Sequence, residues 1–325
     1  MARRTLSDSC LALVRCLEQT VPPFLAATGL DSCRIGLSGG ADSLALTAAC
    51  SWVRDHRRGP LAGMKVTARI VDHGLQAGSA AVADQARQQA AGLGIAAEVV
   101  RVRVDPAGEG VEAAARQARY SALTMGEPAV ILLAHTLDYQ AETVLLGLAR
   151  GSGTRSLAGM PPSRSTILRP LLALRRSQTE QACRDWSLTW WNDPSNEDPA
   201  FTRSNLRQAM DALRQLLGQD LSVNLARTAN LCREDADYLD TVVSENGIDP
   251  SQPSLPLDDL AALPPAIRHR VLLLWLRTTG GDAVTRDHVR TVDELLTHWH
   301  GQKSIPVPHA TVTRTAHHLR LTPTV

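Results

Sequence analysis

The stretch Ser38-Gly39-Gly40-Ala41-Asp42-Ser43 sets two glycines, two serines and one acid within six residues. Glycine lets a backbone approach a ligand and take positive φ. The N–H groups that open a following helix, with the helix dipole behind them, favour an anion. Asp42 opposes that chemistry unless a divalent cation stands between its carboxylate and the phosphates. The loop therefore reads as a magnesium–nucleotide site; the plainer alternative is that Asp42 or Ser43 only caps a helix. Neither GxxxxGK[ST] nor GxGxxG occurs, so a Walker loop and a dinucleotide fold gain no support. Asp72-His73 and His135…Asp138…Glu142 are the other places where acids and imidazoles gather. Asp138 and Glu142 are four apart, so on a helix they share a face and can converge on a metal or an ammonium. With Asp42, Asp138 is the better metal ligand. Arg116, Arg119 and Tyr120 lie together, where arginine can hold a phosphate or a carboxylate or simply make a solvated helix face. Arg169, Arg175, Arg176, Arg203 and Arg207 form the chain's basic concentration, a strip for nucleic-acid phosphates.

These residues need elements to hold them. RIGL (34–37), VTARIV (66–71), IAAEVVRVRV (95–104) and AVILLAH (129–135) are strand candidates, and the third alternates like a half-buried or edge strand. Helical spacing follows at 43–56, 80–94, 111–125 and 141–150. Such alternation predicts an α/β domain, a parallel sheet with helices on both faces. Ligands then bind outside the carboxyl ends of the strands. The glycine loop, Asp72-His73 and His135–Asp138 all fall there. From 151 to about 207 the pattern loosens into Gly, Pro and Arg; beyond it the chain is mostly helical, with SQPSLP (251–256) as a loop and a weakly alternating tail. We expect a catalytic domain over 1–215 and a smaller, mostly helical substrate-binding domain with a short C-terminal β element over 216–325.

Composition narrows the classes. The 325 residues carry Lys+Arg 34 against Asp+Glu 33, so bulk charge announces no nucleic-acid partner and any basic surface is local. Lysine occurs only at 65 and 303, which leaves phosphate contacts to arginine and backbone. The six cysteines form no CxxC pair, which argues against structural zinc and dithiol redox chemistry and suits a reducing cytosol. The longest apolar runs are too short to span a membrane.

SGGADS resembles the SGGxDS loop of the N-type ATP pyrophosphatases, the PP-loop superfamily. VDHGLQAGSA (71–80), EAAARQARYSAL (112–123), LAHTLDYQAETVLLGLARGSGTRSLAGM (133–160) and RPLL…WNDPSNEDPAFTRSNLR (169–207) are similar, in order and spacing, to tRNA(Ile)-lysidine synthetases. The resemblance implies an adenine nucleotide alpha-hydrolase-like fold and a ligase acting on a tRNA(Ile) with a CAU anticodon. ATP would adenylate the wobble cytidine, position 34, with release of pyrophosphate. The amine of free L-lysine would then attack C2 and expel AMP. It assigns Ser38, Gly39, Gly40, Ala41, Asp42, Ser43, Asp72, His73 and a Gly151-Ser152-Gly153 lid to ATP. Glu112, Arg116, Arg119, Tyr120 and Glu142 go to lysine, and Asp42 and Asp138 to Mg²⁺. Asp42, Asp138, His135, Arg203 and Arg207 are its catalytic set. Gly151 can equally be a plain helix C-cap. Two positions depart from the family pattern: Tyr139 stands where a second aspartate is usual, and Ser204 where asparagine is common. A neutral phenol is a poor magnesium ligand. Two readings compete, tRNA thiolation by another PP-loop enzyme and a weakly active or non-catalytic ATP- and RNA-binding protein. The expected compartment is the cytoplasm, and a homodimer stays open.

Overall fold

The computed structural model describes residues 6–56, 61–74, 78–104, 111–193 and 202–324; the side chains of Val111, Glu112, Thr202 and Arg203 lie outside the described residues. Two compact units divide the chain, Met1–Asn230 and Leu231–Val325.

The first unit runs α1 (Asp8–Thr28), β1 (Ser32–Gly36), α2 (Ala41–His56), β2 (Lys65–Asp72), α3 (Ser79–Gly92), β3 (Ala96–Arg101), α4 (Val111–Thr124), β4 (Val130–Leu132) and α5 (Leu137–Ala149). After these come α6 (Thr154–Leu157), β5 (Ser163–Arg164), β6 (Ile167–Leu168), α7 (Arg176–Asp185) and α8 (Thr202–Leu217), and then the start of α9 (Leu221–Glu245). The sheet order is β3-β2-β1-β4-β6-β5. Every pairing is parallel except β5 with β6. The expected parallel sheet is present, and β3 occupies the edge its alternation suggested.

Period-two alternation explains why both faces are covered. Val130 and Leu132 of β4 join the core that holds Ile35, Leu13 and Leu44, whereas Ile131 and Leu133 pack with Leu123 of α4. The alanines of α3 (Ala83, Ala86, Ala90) are small enough to bring that helix close to β2 and β3. Ala141 and Val144 of α5 pack on Met210 of α8 and on Leu225 and Ala229 of α9. The stretch expected to be loose contains an unforeseen hairpin, β5–β6, turned at Ser165 with φ 52°. It extends the sheet by pairing β6 with β4.

The second unit contains β7 (Ser254–Pro256), α10 (Leu257–Ala262), α11 (Pro265–Gly280), α12 (Arg286–Thr297), β8 (Ile305–Val307), β9 (Ala310–Arg314) and β10 (His318–Pro323). Its strands form an antiparallel sheet, β7-β10-β9-β8. Trp275 is fully buried among Val271, Leu272, Val292 and Val312, and its indole N–H donates to the Gln252 carbonyl at 2.8 Å. The end of SQPSLP is a strand, not the loop expected: Leu255 is buried opposite Leu319, and that burial overrides the turn residues around it. Among the described residues no helix is long and apolar enough to cross a membrane.

Candidate active site

Ser38 to Gly40 join the buried end of β1 to α2, and Gly39 takes φ +83°. A Cβ on Gly39 would meet Val82 at an ordinary contact distance of 3.4 Å, so it is the angle, not the space, that favours glycine. Ser43, 4% exposed, braces the loop. Its Oγ accepts from the Ser38 N–H at 3.1 Å and donates to the Gly40 carbonyl at 3.0 Å. The first N–H groups of α2 have no intrahelical acceptor, as at every helix start. A cleft of about 800 Å³ opens over this turn. Ser38, Gly40, Ala41, Asp42, Ser43, Asp72, His73, Arg119, His135, Arg176 and Arg207 line it, at the carboxyl ends of β1, β2 and β4.

Three expected acids meet around one arginine, whose guanidinium faces two of them and whose backbone N–H holds the third. Arg176 opens α7. Its N–H donates to Asp138 Oδ2 at 2.7 Å, its Nε lies 3.8 Å from Asp42 Oδ2, and its Nη2 lies 3.9 Å from Glu142 Oε1. Arg175 Nη1 donates to Asp138 Oδ1 at 2.9 Å and also pairs with Asp220. The Thr179 hydroxyl, one turn along α7, donates to Asp42 Oδ1. Burial raises the Asp42 carboxyl above its ordinary value; Thr179 and Arg176 oppose the rise, while Glu180 and Asp138 add to it. Among the described residues no three His, Cys, Asp or Glu side chains form a group able to hold a metal alone.

Glu142 is 1% exposed and accepts from Arg207 Nε at 2.7 Å. It is absent from the cleft wall, which Arg207 helps to form. The expected ammonium receptor therefore holds an arginine in place. Asp72 is likewise engaged: the Ser79 hydroxyl, the Gly74 N–H at 3.0 Å and Arg101 hold it below the usual carboxylate range against its burial. Burial and the nearby Arg119 lower the His73 imidazole. His135 and Tyr139 sit with ring centroids 4.8 Å apart, and Tyr139 faces the cleft where the family pattern has a carboxylate.

Tyr120 gathers three guanidinium groups. Arg116 Nη2 and Arg169 Nη2 lie 3.4 and 3.5 Å from its hydroxyl, and Arg116 and Arg119 approach its ring at 5.0 and 5.6 Å. Burial raises the phenol, but the Arg169 hydrogen bond and the arginine charges outweigh it and leave a lowered pKa. Among the described residues none of these arginines pairs with a carboxylate, and the Nε atoms of Arg119 and Arg169 are buried without a hydrogen-bond partner. Arg169 also donates to the Pro161 carbonyl at 2.9 Å. Its 5% exposure leaves it no open face for a tRNA backbone.

Gly151-Ser152-Gly153 does not line the cleft. Gly151 has φ +65°, its N–H bonds the Leu148 carbonyl at 2.9 Å, and Ser152 N–H bonds the Gly147 carbonyl at 3.0 Å. That pair of bonds is a Schellman C-cap closing α5. The Glu112 and Arg203 side chains lie outside the described residues. Sequence reasoning missed Thr179 and Glu180, and also Trp190, Trp191 and Asn192, which line the cleft. The Trp191 N–H tethers this segment to the Gly39 carbonyl at 3.0 Å. A tryptophan doublet in a chain only 3% aromatic was the available signal.

A parallel sheet with an anion-receiving glycine turn after β1 and an aspartate at the head of the next helix defines a PP-loop nucleotide-binding domain. A PP-loop domain model matches residues 14–213, and a TilS substrate binding domain model matches residues 255–320. The chain is 49% identical over 292 residues to the tRNA(Ile)-lysidine synthase of Mycobacterium tuberculosis (strain ATCC 25618 / H37Rv), covering 87% of each chain. It is 47% identical over 292 residues to that of Leifsonia xyli subsp. xyli, covering 86% of each. Among solved structures, the U34-tRNA thiolase NcsA from Methanococcus maripaludis superposes with TM-score 0.54 at 16% identity, covering 69% of this chain and 80% of that one. That likeness concerns the fold alone. The chain belongs to the tRNA(Ile)-lysidine synthase family of ligases.

Proposed function

We propose that this chain uses ATP to join L-lysine to C2 of the wobble cytidine of a CAU-anticodon tRNA(Ile), through an adenylated cytidine, in the cytoplasm. Beyond family membership, one observation carries the reading: the cleft joins a phosphate-receiving turn to Arg119, whose Nε is buried and which pairs with no carboxylate among the described residues.

Ser38 to Ser43 receive the triphosphate through backbone N–H groups, with Ser43 holding the turn in shape. The fit of a magnesium ion rests on Arg176, whose guanidinium already stands as a cation before Asp42 and Glu142. Asp42, with Asp138 beside it, would hold the ion; magnesium asks for only one or two carboxylates when phosphates complete its shell. When bound, it neutralises the triphosphate and the departing pyrophosphate. Arg116 and Arg119 offer the lysine α-carboxylate a charge-assisted site beside Tyr120, whose hydroxyl Arg169 holds from behind. Glu142 fixes Arg207 at the cleft wall, where that guanidinium can stabilise charge on the reacting nucleotide. Arg175 is held between Asp138 and Asp220, so it braces α7 instead of reaching for a distant phosphate.

Incubating the protein with ATP, Mg²⁺, labelled lysine and tRNA(Ile) tests this. Label enters the RNA with release of pyrophosphate and AMP; binding of ATP without labelled RNA refutes ligation. Sulfide-dependent AMP release would mean thiolation, which the thiols disfavour. Burial pushes Cys33 and Cys183 up to about 12, far from reactive thiolates.

A further inference from the structure

Arg176 differs from its neighbour Arg175 in how it is held. Arg175 makes a hydrogen bond of 2.9 Å to Asp138 and another to Asp220. The backbone of Arg176 is pinned by the 2.7 Å bond to Asp138, but its guanidinium meets Asp42 and Glu142 only at 3.8 and 3.9 Å. Those separations are Coulombic contacts, longer than hydrogen bonds. Its side chain is 29% exposed and lines the cleft. A long side chain anchored at its own N–H and loosely attracted at its tip can pivot without moving the helix.

We propose that the Arg176 guanidinium is the resident counter-ion of this site. It neutralises Asp42, beside a Glu142 that Arg207 already pairs, in the nucleotide-free protein, is displaced from Asp42 by the divalent cation that arrives with ATP, and turns onto the polyphosphate. The inference rests on the magnesium reading above and adds an order of events. Without nucleotide, Arg176 competes with any metal for Asp42. With nucleotide, the phosphates take the guanidinium and complete the metal's shell, so cation and triphosphate bind together.

Manganese binding to the full-length protein, followed by electron paramagnetic resonance with and without a non-hydrolysable ATP analogue, tests this. Without nucleotide, Arg176→Gln should bind Mn²⁺ about tenfold tighter than wild type, because a fixed positive charge about 4 Å from the ligand oxygen has been removed. Arg176→Lys, which keeps the charge, should stay within about threefold of wild type. Arg176→Met serves as a second neutral variant if Arg176→Gln fails to fold, with the same result expected. Neutral variants that bind nucleotide-free Mn²⁺ no tighter than wild type overturn the proposal and leave the magnesium reading standing. Analogue-loaded wild type holding no Mn²⁺ that Asp42→Asn loses would overturn the magnesium reading and this proposal with it.

Discussion

Replacing Arg207 by alanine would strand a buried carboxylate. Glu142 is 1% exposed, and Arg207 Nε donates to it at 2.7 Å. Removing one partner of a buried ion pair costs about 3–5 kcal/mol, because the other charge keeps its desolvation penalty. Arg176 Nη2, 3.9 Å from the same oxygen, can take part of that charge, which places Arg207→Ala near the lower end, about 3 kcal/mol. The reverse change is milder. Arg207 has a 26% exposed side chain and can turn to water, and glutamine keeps an acceptor, so Glu142→Gln should cost about 1 kcal/mol. For a unit of this size, about 3 kcal/mol lowers the melting temperature by roughly 6–12 °C. Thermal melts of the two single variants and the double variant give the test. The order expected is Arg207→Ala worst, with the double variant recovering stability relative to it. An Arg207→Ala protein melting within about 2 °C of wild type, or Glu142→Gln costing more than Arg207→Ala, would refute the asymmetry.

Asp42→Asn should abolish ligation while stabilising the free protein at neutral pH. A carboxyl whose pKa is raised on folding costs stability as pH climbs from its unfolded value of 3.8 through the higher folded one. Urea midpoints between about pH 4 and 7 should therefore fall less steeply for Asp42→Asn than for wild type, and parallel curves would contradict the burial argument. Gly151→Ala separates cap from lid. A left-handed φ of +65° costs alanine about 1–2 kcal/mol, so the melting temperature should drop by several degrees with an unchanged KM for ATP. A raised KM with unchanged stability would restore the lid.

Much of the site was legible locally. SGGADS announced an anion turn because glycine, serine and a helix start are short-range features. The acids after β2 and β4 were placed because a parallel sheet collects its ligands at one end. The hairpin β5–β6 and the strand β7 were missed because pairing partners, not their own residues, make them strands.

By itself the sequence determined the alternation of the first four strands with their helices, the turn that faces phosphate and the set of acids near it, since each depends on residues within a few turns of one another. Only the tertiary structure decided what those acids touch. Arg176 is 38 residues from Asp138, and Thr179 is 137 from Asp42; the Leu137 N–H bonded to the Leu174 carbonyl brings the first pair together, and α7 packed against α2 the second. No local spacing encodes that meeting, because which carboxylate a guanidinium neutralises depends on distance in space and on exclusion of water, and both arise when the helices pack.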